Sequence, residues 1–529
     1  MNVPERDPEF AEKLEQALIA RDIRSGFATL DKLFAQGRGL TPRTPDAYRL
    51  LLALAQWTDL GYRNIKFLDK QFAHFSNLNV AELTTRDFFR LKLVDSFRAL
   101  ARQSPSQAIE LLDALTRAGQ DLLLPEQLFA IHFWRGRAHR QNGSFDAALA
   151  DIQRAKAWGE QLGAKKLIAV AKIHESWLVF HKGERRLAFD LLDEAEKVLL
   201  PTGHALSLGN IAAARGRFVR SAGDYARSLS YFERAIELYR QHNPEHLNVA
   251  RALVNAAYVK RLISLELRPG RGAAAAGATH EQALRIAREA ISLLRDAARI
   301  YSLHHHQSGS GSVLINLGHL QLESGDIDAA SEEASEAYKL GQNQSDQVLM
   351  ARARILQAYV EMARSEEQID EEDGLPPSQR AVDFADEAIA IARGTQNKRL
   401  LAGAYITRGL SSIESNHADL ETARTYATRA AELLGGEDRD HLYRELTHLR
   451  RKITEPGAVD ETLRRWANGE LGNKSFRQIE EEFAELVIPK VWANLGKNVS
   501  LVAEQLSISP KKVRRILRKS RISSHGSGG

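Results

Sequence analysis

The sequence predicts an all-α protein, in which an α-α superhelix of stacked helix pairs precedes a small C-terminal helix-turn-helix domain. Alanine, leucine, arginine and glutamate dominate the 529 residues, and the alternation of β-branched residues that is typical of strands is scarce. Small residues recur at a fixed spacing through the middle of the chain, which indicates a repeat array. Near the end, two short helical patterns are joined by a tight break and carry dense positive charge.

Composition excludes several kinds of site. The sequence has no cysteine, which excludes disulfides and cysteine-ligated zinc or iron–sulfur centres and suits a reducing cytoplasm. The opening residues are polar and acidic, so we expect no signal peptide there. No apolar run approaches the length that crosses a bilayer. We therefore expect a cytoplasmic protein with no membrane partner, associated with the nucleoid when it binds DNA.

Residues 1–120 are predicted to be helical, with only a weak repeat signal. These helices could be degenerate repeats or a separate N-terminal region, and the sequence leaves both open. The segments with helical spacing of apolar residues are Pro8–Arg21, Ser25–Gln36, Pro45–Leu60, Ala81–Arg102 and Ser106–Ala118.

A repeat array is predicted over residues 121–436. The positions Ala148, Ala188 and Ser228 are evenly spaced along the chain, and each follows a glycine that would end the first helix of a pair. Small residues at such positions let the two helices of a pair, and neighbouring pairs, approach closely. Later units repeat the pattern at Gly318, Gly325, Ala330, Ala334 and Ala337, at Ala381, Ala385 and Ala388, and at Gly409, Ala423, Ala427 and Ala430.

This pattern resembles the tetratricopeptide repeat, a helix-turn-helix unit of about 34 residues. Seven matches in succession, over about 300 residues, make the resemblance specific for the fold but not for a ligand. The interval from Ala148 to Ala188 is longer than this simple repeat, which implies helices longer than the family minimum. The resemblance implies a superhelix whose concave surface binds an extended peptide or a partner protein.

The first helix of each pair would line that concave surface. Asparagines fall there at positions where related peptide-binding arrays grip a peptide backbone, because an amide is both donor and acceptor. The arginines would favour an acidic peptide or a terminal carboxylate. The alternative is that these are ordinary solvated helix positions. The predicted groove residues are Arg137, Arg140, Arg217, Arg220, Asn255, Arg261 and Asn316, with Glu323 among them.

Residues 437–474 are predicted to be a capping helix and a linker, with helical patterns at His441–Lys452 and Asp460–Ala467. The C-terminal domain is expected at residues 475–522, followed by a flexible tail or expression remnant at 523–529. Ser475 and Gln478 form a capping box, and Pro489 must kink or end the helix that follows. The apolar stripe of that helix consists of Phe476, Ile479, Phe483, Leu486 and Val487.

Residues 494–522 have the layout of a helix-turn-helix. Asn498 caps a first helix, and Ser509 with Pro510 begins a second one after a short break. Eight basic residues and one acid lie between Lys497 and Ile522, a net charge of +7 in a chain whose total is only +5. Such concentration of charge is expected of a phosphate-binding surface. The alternative is a solvated amphipathic helix.

The same stretch resembles the C-terminal DNA-binding unit of the Fis family, over roughly the last tenth of the chain. The matching residues are Asn498, Ala503, Ile508, Val513, Arg514, Arg515 and Leu517. Lys497 and Ser507 replace the usual glycines, and the base-facing positions have unusual chemistry, so a preferred DNA site cannot be carried over. The resemblance implies that a homodimer binds double-stranded DNA. The predicted DNA-contacting residues are Asn498, Ser509, Lys511, Lys512, Arg514, Arg515, Arg518 and Lys519.

One histidine pattern could suggest an enzyme. The stretch from His242 to His246 matches the H-x-x-E-H spacing of inverted zinc peptidases, which need both histidines on one helical face. Pro244 lies between them, where one repeat should end and the next begin, so we interpret the match as a turn between repeats.

Other catalytic motifs are weak or absent in the sequence. The histidines at 304–306 have no acidic partner at ligand spacing, and the glycines at 309 and 311 are interpreted as a flexible loop because no strand precedes them. The sequence contains no Walker motif and no nucleophile-and-base arrangement. We therefore predict no catalytic residue, no metal and no cofactor.

These observations lead to one hypothesis with two alternatives. The sequence favours a DNA-binding transcriptional regulator whose superhelix senses a peptide or protein. The first alternative is a scaffold protein whose basic C-terminal module contacts acidic protein or RNA. The second is a hydrolase built on the histidine cluster.

Overall fold

The computed structural model describes residues 9–35, 39–44, 46–75, 83–119, 122–267, 278–366, 377–414, 419–434, 439–454, 474–495 and 498–523. The chain divides into two compact units between Arg450 and Arg451. All regular secondary structure of the described residues is helical, which confirms the predicted all-α class. Among these helices none is both long and apolar enough to span a membrane.

Six helices fill the described part of residues 9–119, five of them close to the predicted segments. The fourth was not predicted, although Asn64 provides a start signal by accepting a hydrogen bond from the backbone N–H of Phe67 at 3.1 Å. The six are α1 Glu9–Ala20, α2 Ile23–Leu33, α3 Ala47–Asp59, α4 Ile65–Ala73, α5 Thr85–Ala101 and α6 Pro105–Gly119.

Seven helix pairs follow within the described residues, and a further helix, α21 (His441–Thr454), comes after them. This arrangement confirms the tetratricopeptide-like superhelix. The helices of the pairs are α7 Pro125–Gln141, α8 Phe145–Gln161, α9 Lys165–His181, α10 Arg185–Leu199, α11 Ala205–Ser221, α12 Tyr225–His242, α13 Leu247–Leu267, α14 Ala278–Leu303, α15 Gln307–Ser324, α16 Ile327–Gln344, α17 Gln347–Glu366, α18 Pro377–Arg393, α19 Lys398–Glu414 and α20 Leu420–Leu433.

The turns between helices recur at a constant interval from α7 to α12 and explain the glycine pattern. Each turn needs a residue with positive φ, a region that glycine enters without steric cost. Between α7 and α12 every such position is glycine, whereas His305 and Ser345 take the same role later in the array with φ of 51° and 52°. The glycine turns are Gly143, Gly163, Gly183, Gly203 and Gly223.

The small anchor residues are the closest points of the helix pairs. Ala148, Ala188 and Ser228 are completely buried, and the Ser228 hydroxyl donates to the Gly216 carbonyl oxygen at 2.8 Å. A Cβ added at Gly216 would lie 3.1 Å from the Phe232 ring. The second helix thus supplies a large side chain where the first has none, which locks the register of each pair.

Gly309 and Gly311 do not form a flexible loop, and that interpretation was wrong. Both lie in the first turns of α15, where an added Cβ would meet the Tyr301 ring at 2.4 Å and the Leu349 side chain at 2.3 Å, respectively. These glycines serve close helix packing. The side chain of His306 begins the helix by accepting a hydrogen bond from the Gly309 N–H at 2.8 Å.

The second unit contains three described helices around a small core. They are α22 Phe476–Asn494, α23 Val499–Gln505 and α24 Pro510–Ser523. Val502, Val513 and Ile516 are buried against Ile488. The helix α22 continues past Pro489 because Val491 and Trp492 beyond it pack on that core. The predicted helix at 460–467 lies outside the described residues. Of the predicted tail at 523–529, Ser523 is the last residue of α24 and the rest lies outside the described residues.

Replacing Gly309 with alanine tests the close packing. Gly309→Ala should destabilise the protein by about 1–3 kcal/mol, because the new methyl group overlaps a rigid aromatic ring. Gly403→Ala is the matched control in α19, since the nearest atom to its Cβ is 3.5 Å away. That change should be neutral or gain up to ~1 kcal/mol of helix propensity. Thermal unfolding compares the two, and equal midpoints would contradict the packing role.

Candidate functional site

Two adjoining cavities lie along the inner surface of the first unit. Their volumes are about 560 Å³ and 510 Å³. The larger cavity is lined by the first helices α7, α9, α11 and α13 and by residues between Arg21 and Gln103 of the N-terminal region. The smaller cavity is lined by the first helices from α9 to α19 and by residues 440–445. Trp177, Arg217, Arg251 and Asn255 line both, so the cavities meet at these four residues.

The cavity walls carry a large excess of positive charge. Among the described residues, eight arginine and lysine side chains but only two carboxylates, Asp59 and Asp69, line the larger cavity. Six arginines and two carboxylates, Asp440 and Glu445, line the smaller one. This imbalance favours an anionic ligand.

All seven predicted groove residues line one or both of these cavities. Some are already paired. Arg137 donates to Asp59 at 2.7 Å, and Arg261 donates to Glu323 at 2.6 Å. Because these arginines are already paired with carboxylates, they stabilise the groove wall and contribute less attraction to an anionic ligand.

The two predicted asparagines are held by the protein itself. Asn255 accepts a hydrogen bond from Arg220 at 3.0 Å and donates to the Arg251 carbonyl oxygen at 2.7 Å. Asn316 is buried and donates to the Ser312 carbonyl oxygen at 2.7 Å. A peptide backbone would have to compete for the amide of Asn255, whereas Asn316 retains its acceptor oxygen.

Arg140 and Arg217 differ from the other groove arginines. Within the described residues, neither makes an ion pair or a side-chain hydrogen bond. The Arg140 guanidinium lies 5.2 Å from the Trp177 ring centroid. Burial and the neighbouring charge of Arg217 lower the pKa of Arg140 to about 9, and burial lowers the pKa of Arg217 to about 10. Both remain charged at neutral pH.

Several histidines line the same cavities, and burial keeps them neutral. Burial and the charge of Arg140 hold the pKa of His174 well below its usual range. Burial also lowers the pKa values of His181 and His204 to about 3, with positive charge from Arg399 and Arg21, respectively, as the next cause. These side chains therefore add hydrogen-bonding groups to the cavity without adding charge at neutral pH.

The H-x-x-E-H stretch does not lie on one helix. Helix α12 ends at His242 and α13 begins at Leu247, which confirms the predicted turn between repeats. His242 Nε2 lies 2.8 Å from the Leu60 carbonyl oxygen, and His246 Nδ1 accepts from the Asn248 N–H at 3.1 Å. Among the described residues no group of three or more potential ligands could hold a metal ion.

Some cavity residues were missed by the groove prediction. Trp177 stands midway along the chain between Arg137 and Arg217, one repeat from each, so the repeat period alone could have identified it. Arg352 and His174 also line the cavities. The charge state of His174 could not be predicted, because it depends on burial and on arginines that lie nearby only in three dimensions.

The second unit presents a separate basic surface on α24. Lys512 and Arg515 are paired with Glu480 at 3.1 Å and Glu481 at 2.5 Å, both on α22. Lys511, Arg514 and Arg518 are exposed and, among the described residues, have no ion pair. Their spacing places them on one face of the helix.

The two polar residues predicted to contact DNA both cap helices. Asn498 accepts from the Ser500 N–H at 2.9 Å, and Ser509 accepts from the Lys512 N–H at 3.2 Å. Ser507, which stands where the Fis family has glycine, adopts a φ of 51°. A positive φ is uncommon for a residue other than glycine. The side chain of Lys519 lies outside the described residues.

No known family model and no curated protein sequence matches the chain. Among solved structures, a Rap protein complexed with competence and sporulation factor aligns with a TM-score of 0.50 and 12% identity over 84% of this chain and 98% of its own. A monomeric IFIT1 mutant with m7Gppp-AAAA aligns with a TM-score of 0.47 and 10% identity, over 86% and 96%. The apo quorum sensor NprR from B. thuringiensis gives 0.39 and 12%, over 82% and 100%. At 12% identity, the similarity to the Rap protein shows the fold alone. The TM-scores of the other two structures are too low to support a conclusion.

The buried neutral histidines predict that acid destabilises the array. The pKa of His204 is about 3 when folded and near 6.5 when unfolded, so the unfolded chain binds the extra proton. Stability from this group is complete above pH 6.5 and falls as pH decreases, by about 1.4 kcal/mol for each pH unit.

Thermal unfolding between pH 7 and pH 5 measures this dependence. His204→Gln should reduce the slope of the unfolding free energy against pH by an amount that corresponds to about one proton. His280→Gln, at an exposed histidine, should leave this slope unchanged. A stability that is constant across this range would contradict the assignment.

Proposed function

We propose that this protein is a sequence-specific DNA-binding transcriptional regulator, whose tetratricopeptide-like superhelix senses an acidic peptide or protein segment. The observation that carries the proposal is the combination of two cationic surfaces in one chain. One lines an internal groove, and the other lies on an exposed helix of a small helix-turn-helix unit. Such a protein would act in the cytoplasm and on the nucleoid.

The DNA-binding part is supported by the face formed by Lys511, Arg514 and Arg518. These side chains are exposed, and the helix that carries them follows a capped turn, as a recognition helix does. Phosphate contacts would come from this face first. Lys512 and Arg515 would have to leave their carboxylate partners on α22 to contact DNA.

The sensing part is supported by the charge of the groove and by the fold. A superhelix exposes the first helix of every pair on its inner surface, which suits an extended ligand. The Rap structure with a similar fold is a complex with competence and sporulation factor, so ligand binding is compatible with this architecture. The excess arginine would select negative charge.

The pairing of Lys512 and Arg515 favours a second candidate function. Two of the predicted DNA-contacting cations are already neutralised within the unit, which leaves a smaller basic surface than the sequence predicts. A scaffold protein whose C-terminal module docks on an acidic protein or RNA needs only such a surface.

A homodimer would follow from the exposed aromatic residues of α22. Phe476 and Phe483 are 83% and 48% exposed, two helical turns apart on the same helix. A short recognition helix reads few base pairs, so two copies on a two-fold site would supply the remaining specificity.

A salt series distinguishes the regulator from the scaffold. Binding to duplex DNA from the region upstream of the protein's own gene is measured against random duplex. Arg514→Ala should reduce the slope of log affinity against log salt concentration by about 0.9, the value for one lost phosphate contact. Lys511→Ala and Arg518→Ala should act alike.

Arg477→Ala is the matched control, because it removes an exposed arginine from α22 of the same unit. Its salt slope should equal that of the wild type. If the Arg514 variant also keeps the wild-type slope, α24 does not contact DNA and the scaffold is favoured.

The double variant Phe476→Glu, Phe483→Glu tests the dimer. It should sediment as a monomer with unchanged helical content, because both side chains lie outside the core of their unit. The variant with leucine at both positions keeps apolar surface and should still dimerise. A monomeric wild type at micromolar concentration would contradict the proposed dimer.

A further inference from the structure

Two half-buried cations lie at the junction of the cavities or next to it, and neither has a carboxylate partner among the described residues. Arg217 lines both cavities, and Arg140 lines the larger one beside it. The Nε atom of Arg217 is inaccessible to solvent and has no hydrogen-bond partner among the described residues. The two guanidinium groups are close enough for the charge of Arg217 to lower the pKa of Arg140, which Arg137 and Arg251 also lower.

The same helix shows how a buried arginine is normally held. Arg135, also on α7, donates to Asp151 at 2.6 Å and to Asp113 at 2.7 Å. Burial alone would raise the pKa of Asp151, but hydrogen bonds from His132 and Arg135 lower it to about 2. Arg135 therefore has a structural role, whereas Arg140 has no carboxylate partner among the described residues and contacts only the face of the Trp177 ring.

We propose that Arg140 and Arg217 form a carboxylate subsite, which binds an acidic residue or the terminal carboxylate of a peptide that lies across both cavities. This inference rests on the ligand-binding part of the proposed function and names its central contact. Each guanidinium offers a planar pair of N–H donors that matches the two oxygens of a carboxylate.

The surroundings of the two arginines favour a peptide over a small inorganic anion. Trp177, Phe133 and Val170 line the larger cavity beside them and would pack against apolar side chains. Asn210 accepts from Tyr239 at 2.7 Å and from Asn248 at 3.1 Å, which leaves its own amide N–H groups to donate to a peptide carbonyl. Phosphate alone would use neither feature.

The first experiment measures the thermal stability of the free protein. Arg140→Met and Arg217→Met should each raise the unfolding midpoint, because an unpaired, half-buried charge is replaced by an apolar chain of similar length. Arg135→Met is the matched control on α7 and should lower the midpoint, since it leaves Asp151 buried without its partner. If the Arg140 and Arg217 variants are destabilised like the control, the two arginines are structural and the subsite does not exist.

The second experiment measures binding by calorimetry at constant ionic strength. The probes are N-acetylated hexaglutamate, with a free or an amidated C terminus, and N-acetylated, amidated hexaglutamine. Both glutamate peptides should bind the wild type at least tenfold more tightly than the glutamine peptide. Tighter binding of the free-terminus peptide identifies a terminal carboxylate as the ligand group, and equal binding of the two identifies a side chain.

Arg140→Met and Arg217→Met should each weaken the glutamate peptides at least tenfold. Equal binding of glutamate and glutamine peptides would overturn the proposal. Inorganic phosphate that binds the wild type as tightly as the glutamate peptides do would also overturn the proposal, because the two arginines would then form a phosphate site. A partner protein that binds with unchanged affinity to both variants would leave the sensing function intact and remove only this subsite.

Discussion

The close approach of paired helices is the constraint on which the first unit depends. Gly216 and Ser228 show it in one pair: a glycine on the first helix receives the Phe232 ring, and the serine hydroxyl bonds the glycine carbonyl across the interface. Since interiors are packed as densely as crystals, one added methyl group at such a point displaces a neighbour. The contact sets the register of each pair, and the evenly spaced turns with positive φ set the register of the next.

That register also decides the chemistry of the groove. The constant repeat interval brings Arg137, Trp177 and Arg217 to equivalent positions of three successive pairs, all on the inner surface. Repetition therefore collects cations that are far apart in the chain. What distinguishes one from another is the nearest carboxylate. Arg137 has Asp59 from α3, whereas Arg140 has no ion pair among the described residues and lies against the Trp177 ring.

In the second unit as well, helix packing determines which cations are paired with carboxylates. The apolar residues of α23 and α24 pack on Ile488 of α22, and this packing turns Lys512 and Arg515 toward the carboxylates of α22. The remaining cations Lys511, Arg514 and Arg518 are exposed and have no ion pair among the described residues. Some cations of α24 thus stabilise their own unit, whereas others are available to a polyanion.

The sequence by itself determined the helical class, the repeat period, the seven helix pairs and the cap at each end of the C-terminal turn, because these depend on local spacing and backbone preference. Only the tertiary structure decided that Gly309 and Gly311 are packing residues, since the side chains they accommodate come from other helices. It also decided which arginines are paired. Asp59 lies 78 residues from Arg137 in the chain, and no local pattern relates such distant residues. Charge neutralisation in a folded protein depends on distances in space, which the linear sequence does not contain.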